Sequence, residues 1–312
     1  MRSRGNPAAI RGSIVPVVTP FTAGGEVDLP GLRDLIRWQL ECGSHGISLG
    51  GSTGEPSAQA TDERISAMAA AAGQIADKVP FLPGTGSARL DETLRLTAAA
   101  AELGADAALV ITPYYARPTQ DGLYQWYATV AAENPGLPIV MYNVPSRTAF
   151  DIAPETVARL RRRFGNIVGV KETTKDFEHF SRVLHLCGRD TLVWSGIELL
   201  CLPLLALGGT GFVSAVANIA SAAVAQMYER WVAGEHDKAR DLHYGLHPLV
   251  DLIFTETSPA PAKWVLEQAG LIGSEYVRPP LTMPADGARA RIRQLLRDGA
   301  PVLGPPVSTL VT

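Results

Sequence analysis

The sequence predicts an α/β fold, a (β/α)8 TIM barrel with additional C-terminal helices. Three observations carry this expectation. Short apolar runs alternate with amphipathic segments from Ile14 to Ser214 over short connections, which is the pattern of a parallel sheet wrapped in helices. Eight such units can be counted, and 312 residues suit one barrel better than two ordinary domains. Beyond the eighth run the pattern turns helical, with no strand between successive segments.

The strand candidates are Ile14–Thr19, Gly46–Leu49, Phe81–Gly84, Ala107–Ile111, Pro138–Tyr142, Val168–Lys171, Thr191–Ser195 and Gly211–Ser214. Each is a short, mostly apolar run, as expected of strands buried on both faces. Between them, helices are predicted near Leu29–Glu41, Asp62–Ala76, Asp91–Leu103, Gly122–Asn134, Pro154–Arg163, Phe177–Cys187 and Glu198–Leu207. Several open on Asp, Thr or Pro, residues suited to a first helical turn. After the eighth strand, Ser221–Ala233, Glu235–Phe254, Ala260–Ala269 and Asp286–Asp298 read as helices, of which one completes the barrel. The expected division is a barrel over residues 10–230, a helical appendix of the same unit over 231–300 and a tail over 301–312. That tail carries prolines and no periodicity, so it is expected to be loose or packed against a neighbour.

Composition narrows the function. With 28 basic and 31 acidic residues the net charge is -3, and no like-charge block exceeds Arg161-Arg162-Arg163, which argues against a nucleic-acid partner. Cys42, Cys187 and Cys201 are isolated and form no CxxC pair, so neither a disulfide framework nor a zinc site is suggested and a reducing cytoplasm fits. Arg2 and Arg4 are not followed by an apolar segment of signal-peptide type, and no apolar run reaches membrane-spanning length. The expectation is a soluble, unprocessed, cytoplasmic chain with no membrane partner. His243 and His247 stand at i, i+4, but without an acidic ligand nearby they read as packing or surface residues, and no metal is expected.

In such a barrel the chemistry lies at the C-terminal ends of the strands. The sixth strand candidate ends on Lys171, with Glu172 beside it. Lysine is rarely buried without a partner, and burial disfavours its ammonium form, the condition under which an amine attacks a carbonyl. An ordinary lysine is neutral in only about one molecule in 2,500 at pH 7, so lowering its proton affinity raises the reactive fraction steeply. Of Lys78, Lys171, Lys175, Lys238 and Lys263, Lys171 alone ends an apolar strand. Strand two delivers Gly50-Gly51-Ser52-Thr53-Gly54-Glu55, whose glycines leave backbone amides free to hold a small anion. Strand four delivers Tyr114-Tyr115, and strand five delivers Tyr142 and, on a Pro-Ser-Arg-Thr turn, Arg147. An amine for a ketone, hydroxyls for proton transfer and a guanidinium for a carboxylate form a coherent set. Glu172, on a strand of period two, points away from Lys171 and reads as a structural partner outside the pocket.

Plainer readings exist for each residue: a strand-end lysine that reaches into solvent, half-buried packing tyrosines and a surface arginine. Gly50-Gly51-Ser52-Thr53-Gly54 also matches the G-x-S-x-G elbow of serine hydrolases, which would make Ser52 a nucleophile. A barrel that keeps such a pocket but acts as a binding or regulatory protein is a third reading.

Gly51-Ser-Thr-Gly-Glu55, Ile111-Thr-Pro-Tyr-Tyr115, Tyr142-Asn-Val-Pro-Ser-Arg-Thr148, Val170-Lys-Glu172 and Gly208-Gly-Thr-Gly-Phe-Val-Ser214, in this order, resemble the dihydrodipicolinate synthase and N-acetylneuraminate lyase family of Schiff-base-forming pyruvate lyases. The resemblance covers roughly residues 10 to 300. It implies a carbon-carbon or carbon-oxygen lyase of class I aldolase type, with no cofactor and a covalent imine between substrate and Lys171. It makes Tyr142 the proton-relaying hydroxyl, Thr53 and Ser52 the binders of the pyruvate carboxylate, and Ser52 also a link in a tyrosine proton relay. Tyr115 would reach into a neighbouring subunit's site, implying a homodimer or homotetramer, and Gly196 with the Val213 carbonyl would line the pyruvate pocket. Arg147 is similar to the synthase version, which holds the carboxylate of aspartate semialdehyde; the leading expectation is therefore 4-hydroxy-tetrahydrodipicolinate synthesis. An aldolase or dehydratase acting on a sugar acid or a catabolic 2-oxo acid is the alternative, since Ser52, Pro56 and Ala116 depart from the usual synthase pattern. Ala88 departs from members inhibited by lysine, although Glu92 is kept.

Overall fold

The computed structural model describes residues 7–311; Arg2, Arg4 and Thr312, which entered the reading of the two ends, lie outside the described residues. The strands are β1 (Gly12–Pro16), β2 (Gly46–Ser48), β3 (Ala108–Ile111), β4 (Ile139–Asn143), β5 (Ile167–Glu172), β6 (Leu192–Ser195) and β7 (Gly211–Val213). The helices are α1 (Leu29–Glu41), α2 (Thr61–Ile75), α3 (Leu90–Glu102), α4 (Gln120–Glu133), α5 (Pro145–Thr148), α6 (Pro154–Arg163), α7 (Phe177–Cys187), α8 (Cys201–Ala206), α9 (Ala217–Val232), α10 (His236–Gly245), α11 (His247–Ile253), α12 (Ala260–Gln268) and α13 (Asp286–Asp298). The chain forms two compact units. Among the described residues, one holds Pro80–Val213 with residues 7–11, and the other holds Gly12–Val79 with residues 214–311.

In the first unit β7, β6, β5, β4 and β3 lie side by side, and the neighbouring strands run parallel. β4 and β5 are buried along their whole length, which accounts for the apolar runs Ile139–Met141 and Ile167–Val170 that precede their polar ends. Gly169 is required in β5, because a Cβ there would fall 1.9 Å from the Leu192 carbonyl oxygen. The register sets Tyr142 opposite Lys171 and Asn143 opposite Glu172, so two cross-strand pairs stand at successive steps on opposite faces.

The expected strand at Phe81–Gly84 is corrected: it is an extended segment joined to β3 by a single bridge, Gly84 to Leu109. The Leu109 amide donates to the Pro83 carbonyl at 2.9 Å and the Thr85 amide to the Leu109 carbonyl at 3.0 Å. Pro83 has no N–H to add to a ladder, so the run pairs without becoming a regular strand.

In the second unit β1 pairs with β2 in parallel, Ile14 opposite Gly46. The Asn218 side chain closes the end of β1, accepting from the Val18 amide at 3.1 Å and donating to the Pro16 carbonyl at 3.0 Å. The helix expected over Glu235–Phe254 is two helices, α10 and α11, meeting at Leu246. Pro248 sits in the first turn of α11, where its missing N–H costs nothing but cannot continue α10. At the expected tail, Val307 is fully buried and the Pro305 carbonyl accepts a hydrogen bond from the Trp38 indole at 3.3 Å. Among the described residues no helix is long and apolar enough to cross a membrane.

Candidate active site

Lys171 and Tyr142 are brought together by the β4–β5 register. Each is 5% exposed, and the Lys171 amine lies 4.1 Å from the centre of the Tyr142 ring. No ion pair or hydrogen bond to the Lys171 amine occurs among the described residues; its neighbour is an aromatic face rather than a carboxylate. Gly196 stands against this lysine: a Cβ there would meet Lys171 Cε at 2.8 Å and Thr173 Cγ2 at 2.2 Å. Only glycine leaves the amine's stem its place. Val213 is buried in β7.

Arg147 is exposed on α5, and no acidic partner is found for it among the described residues. A guanidinium held on a short helix with no protein carboxylate is suited to meet one from a ligand. Tyr114 is half-buried, whereas Tyr115 is 95% exposed with φ +75°. A left-handed conformation is unfavourable for a bulky aromatic residue, so the backbone spends strain to present this ring outward.

The strand-two motif lies in the second unit and forms a 3-10 turn over Ser52–Gly54, followed by another over Pro56–Ala58. It is not a strand-to-helix elbow, and the hydrolase reading of Ser52 loses its structural context. Thr53 is buried and Ser52 half-buried. The expectation of freely available amides is narrowed, because the Gly54 amide donates to the Gly51 carbonyl at 2.8 Å and the Glu55 amide to the Ser52 carbonyl at 3.3 Å. Thr19 Oγ1 fixes the turn by donating to the Gly54 carbonyl at 2.8 Å.

That turn ends on a feature with no sequence signal. Glu55 adopts φ +55° and is 4% exposed; its Oε1 meets the fully buried Lys263 amine at 2.5 Å. Lys263 also donates to the Tyr276 carbonyl at 2.9 Å and sits 4.0 Å from the centre of the Phe21 ring. Burial pushes its amine down to about 8, against the opposing pull of Glu55. The Arg278 amide donates to Glu55 Oε2 at 2.9 Å, and the Arg278 guanidinium pairs with both oxygens of Glu63.

A second buried cluster lies behind Lys171. Glu172 is wholly buried; its Oε1 accepts from Asn143 Nδ2 at 2.7 Å and from the Thr173 and Thr174 amides at 3.1 and 3.2 Å. Its Oε2 faces His179 Nε2 at 3.0 Å, while His179 Nδ1 lies 3.8 Å from Asp151 Oδ2. Asn143 Nδ2 also bonds Asp151, and Asn143 Oδ1 accepts from the Ile152 amide at 3.3 Å. Glu172 is thus the structural partner expected, and His179 is the residue that sequence reasoning passed over. Burial raises the Glu172 carboxyl above its ordinary range, with His179 and Asn143 pulling the other way. Burial opposes a charged His179, yet the hydrogen bond and charge of Glu172, with the charges of Asp151 and Asp176, prevail and hold it above the ordinary histidine value. Asp151, Glu172 and His179 lie close enough to hold a cation. The two ring nitrogens, however, face different carboxylates, the geometry of an imidazolium between two acids, whereas a metal takes one nitrogen.

Comparison with known proteins follows the same residues. A sequence profile of the Dihydrodipicolinate synthetase family matches residues 9–298. A 4-hydroxy-tetrahydrodipicolinate synthase of Thermus thermophilus is 45% identical over 285 residues, covering 91% of this chain and 95% of the relative. The enzyme of that name from Syntrophus aciditrophicus is 43% identical over 288 residues, covering 92% of this chain and 98% of the relative. Among solved structures, dihydrodipicolinate synthase from Aquifex aeolicus superposes with TM-score 0.90 at 36% identity, covering 94% of this chain and 99% of that one. The chloride-inhibited dihydrodipicolinate synthase from Acinetobacter baumannii, complexed with pyruvate, superposes with TM-score 0.89 at 36% identity, covering 94% and 100%. The fold class is the expected (β/α)8 barrel with additional C-terminal helices.

Proposed function

The chain belongs to the dihydrodipicolinate synthetase family, and on that premise we propose that it is a 4-hydroxy-tetrahydrodipicolinate synthase, joining pyruvate to aspartate semialdehyde through an imine on Lys171. The observation that carries the reading is the buried Lys171 amine over the Tyr142 ring, with no carboxylate paired to it among the described residues. The neutral amine adds to the pyruvate ketone and water leaves, giving the imine; loss of a methyl proton gives the enamine. The enamine carbon then attacks the aldehyde, forming the new carbon-carbon bond. The amino group of the second substrate attacks the imine carbon, closing the ring and releasing Lys171. No cofactor is needed, because the imine itself accepts the electron pair.

Tyr142 supplies the hydroxyl for the proton steps, a role supported by its register opposite Lys171. The assignment of Thr53 and Ser52 to the pyruvate carboxylate, with Ser52 in the tyrosine relay, rests on the family resemblance, as does the Val213 carbonyl in the pocket. Pyruvate as first substrate is supported by the relative from Acinetobacter baumannii, complexed with it. Association into a homodimer or homotetramer is supported by the strained, 95% exposed Tyr115, whose ring is placed to meet another copy. A cytoplasmic setting agrees with the free Cys42, Cys187 and Cys201.

Turnover of pyruvate with aspartate semialdehyde tests the substrate assignment. Arg147→Ala is expected to lower kcat/KM by roughly 10- to 100-fold for the carboxylated aldehyde, the scale of a lost charged hydrogen-bonding partner, and far less for a neutral aldehyde. Equal losses for both would make Arg147 structural.

A further inference from the structure

Two cross-strand pairs stand one step apart on β4 and β5. Tyr142 faces Lys171, and Asn143 faces Glu172 on the other side of the sheet. The second pair is bonded from three directions. Asn143 Nδ2 reaches both Glu172 and Asp151; the Thr173 and Thr174 amides grip Glu172 Oε1; and His179, from the first turn of α7, closes on Glu172 Oε2 at 3.0 Å. The Asn143 carbonyl accepts from Thr173 Oγ1 at 2.6 Å and from the Thr173 amide at 3.0 Å, tying the two strand ends together immediately beyond the reacting pair. Asp151, held by Asn143, lies just past α5, which carries Arg147.

Charge gives the arrangement a second consequence. Glu172 is wholly buried and adjacent in sequence to the lysine that must be neutral to attack. An uncompensated carboxylate there would favour the charged form of the neighbouring amine, since a nearby charge in a protein interior shifts a proton equilibrium by about a unit. The groups facing His179 are Glu172 from β5, Asp151 from the segment before α6 and Asp176 from the N-cap of its own helix. Glu155 of α6 acts instead on Arg182, which pairs with Glu178. The ring therefore sits among acids, and its positive form is the one the site accommodates.

We propose that His179 is a positioning residue for the reaction: it clamps the Asn143–Glu172 pair that aligns Tyr142 with Lys171, and its charge cancels that of Glu172 behind the reacting amine. The inference rests on the assignment of Lys171 as the imine-forming residue. His179 touches neither substrate nor reacting atoms.

The test is the pH dependence of borohydride-trapped imine formation with pyruvate, measured with turnover and melting temperature. His179→Gln is expected to move the half-maximal pH upward by about one unit, as a nearby uncompensated charge does, and to lower kcat more than it raises KM for pyruvate. Adding Glu172→Gln in the same chain is expected to bring the half-point back, because both charges are then gone. A half-point unmoved in His179→Gln, or moved but not reversed by Glu172→Gln, overturns the inference, since a merely structural role lowers stability without a reversible shift. Should His179→Gln fail to fold, His179→Asn serves in its place: it too removes the ring's charge and leaves Glu172 uncompensated, and an unmoved half-point overturns the inference. Absence of any trapped adduct in the unaltered enzyme would instead remove the imine assignment on which all of this stands.

Discussion

Lys171 and Lys263 are both buried lysines, each about 4 Å from an aromatic ring, yet their surroundings assign them opposite tasks. Lys263 is enclosed: Glu55 pairs with it at 2.5 Å, the Tyr276 carbonyl accepts a hydrogen bond from it at 2.9 Å, and Phe21 covers it. Lys171 has the ring of Tyr142 and no ion pair among the described residues. A lysine held by a carboxylate and a carbonyl serves structure, whereas one that meets only an aromatic wall leaves its amine unpaired for a substrate carbonyl. Burial alone does not distinguish a nucleophile from a strut; the partner set does. In the first unit the carboxylate nearest in sequence, Glu172, is turned away from the lysine and occupied by Asn143, His179 and two backbone amides.

The sharpest way to break this comparison is to exchange the losses. Lys171→Ala is expected to abolish turnover by more than about a thousandfold, the scale seen when a covalent nucleophile is removed, while its melting temperature stays near that of the unaltered chain. Lys263→Met should do the reverse. It strands the Glu55 carboxylate in the interior and is expected to lower stability by about 3–5 kcal/mol in urea unfolding, while the folded fraction keeps the ability to form the pyruvate imine. Adding Glu55→Gln should recover part of that stability, because the stranded charge is gone. A Lys263 variant that unfolds no more easily than the parent would show the pair to be unimportant.

A smaller effect separates the two buried clusters by pH. His179 is held above the ordinary histidine value of 6.5, so the folded chain binds its proton more tightly than the unfolded chain. Its contribution to stability is complete below about pH 6.5 and is lost as pH rises through the raised value. The stability gap between the parent and His179→Gln should accordingly narrow as pH rises above about 7, followed by urea unfolding across that range. A constant gap would mean that the ring acts without its charge.

Much of this was legible in the residues, and the failures have physical causes. The alternation of apolar runs and amphipathic segments located seven of the eight expected strands, since both faces of such strands must be apolar. The remaining run, Phe81–Gly84, has the right hydrophobicity, but Pro83 removes a ladder donor, so it forms isolated bridges rather than a regular strand. Glu235–Phe254 keeps one helical period across the break at Leu246, and only Pro248 marks it. Lys171 could be singled out because it ends a strand. Lys263 could not: within α12 it reads as an ordinary helix lysine, and its partner Glu55 is remote in sequence and shown only by packing. His179 was hidden likewise, although its place in the turn that follows Asp176, shortly after Lys171-Glu172, was a usable hint. The 3-10 turn at Ser52–Gly54 uses amides that the glycine pattern suggested were open, since composition cannot show that a turn closes on itself.

The most direct measurement is borohydride reduction of the protein in the presence of pyruvate, followed by peptide mass mapping of the adduct. The account predicts a single pyruvate-derived label on Lys171, absent in Lys171→Ala and still present in Lys263→Met. A label on Lys263, or no pyruvate-dependent label at all, would contradict it.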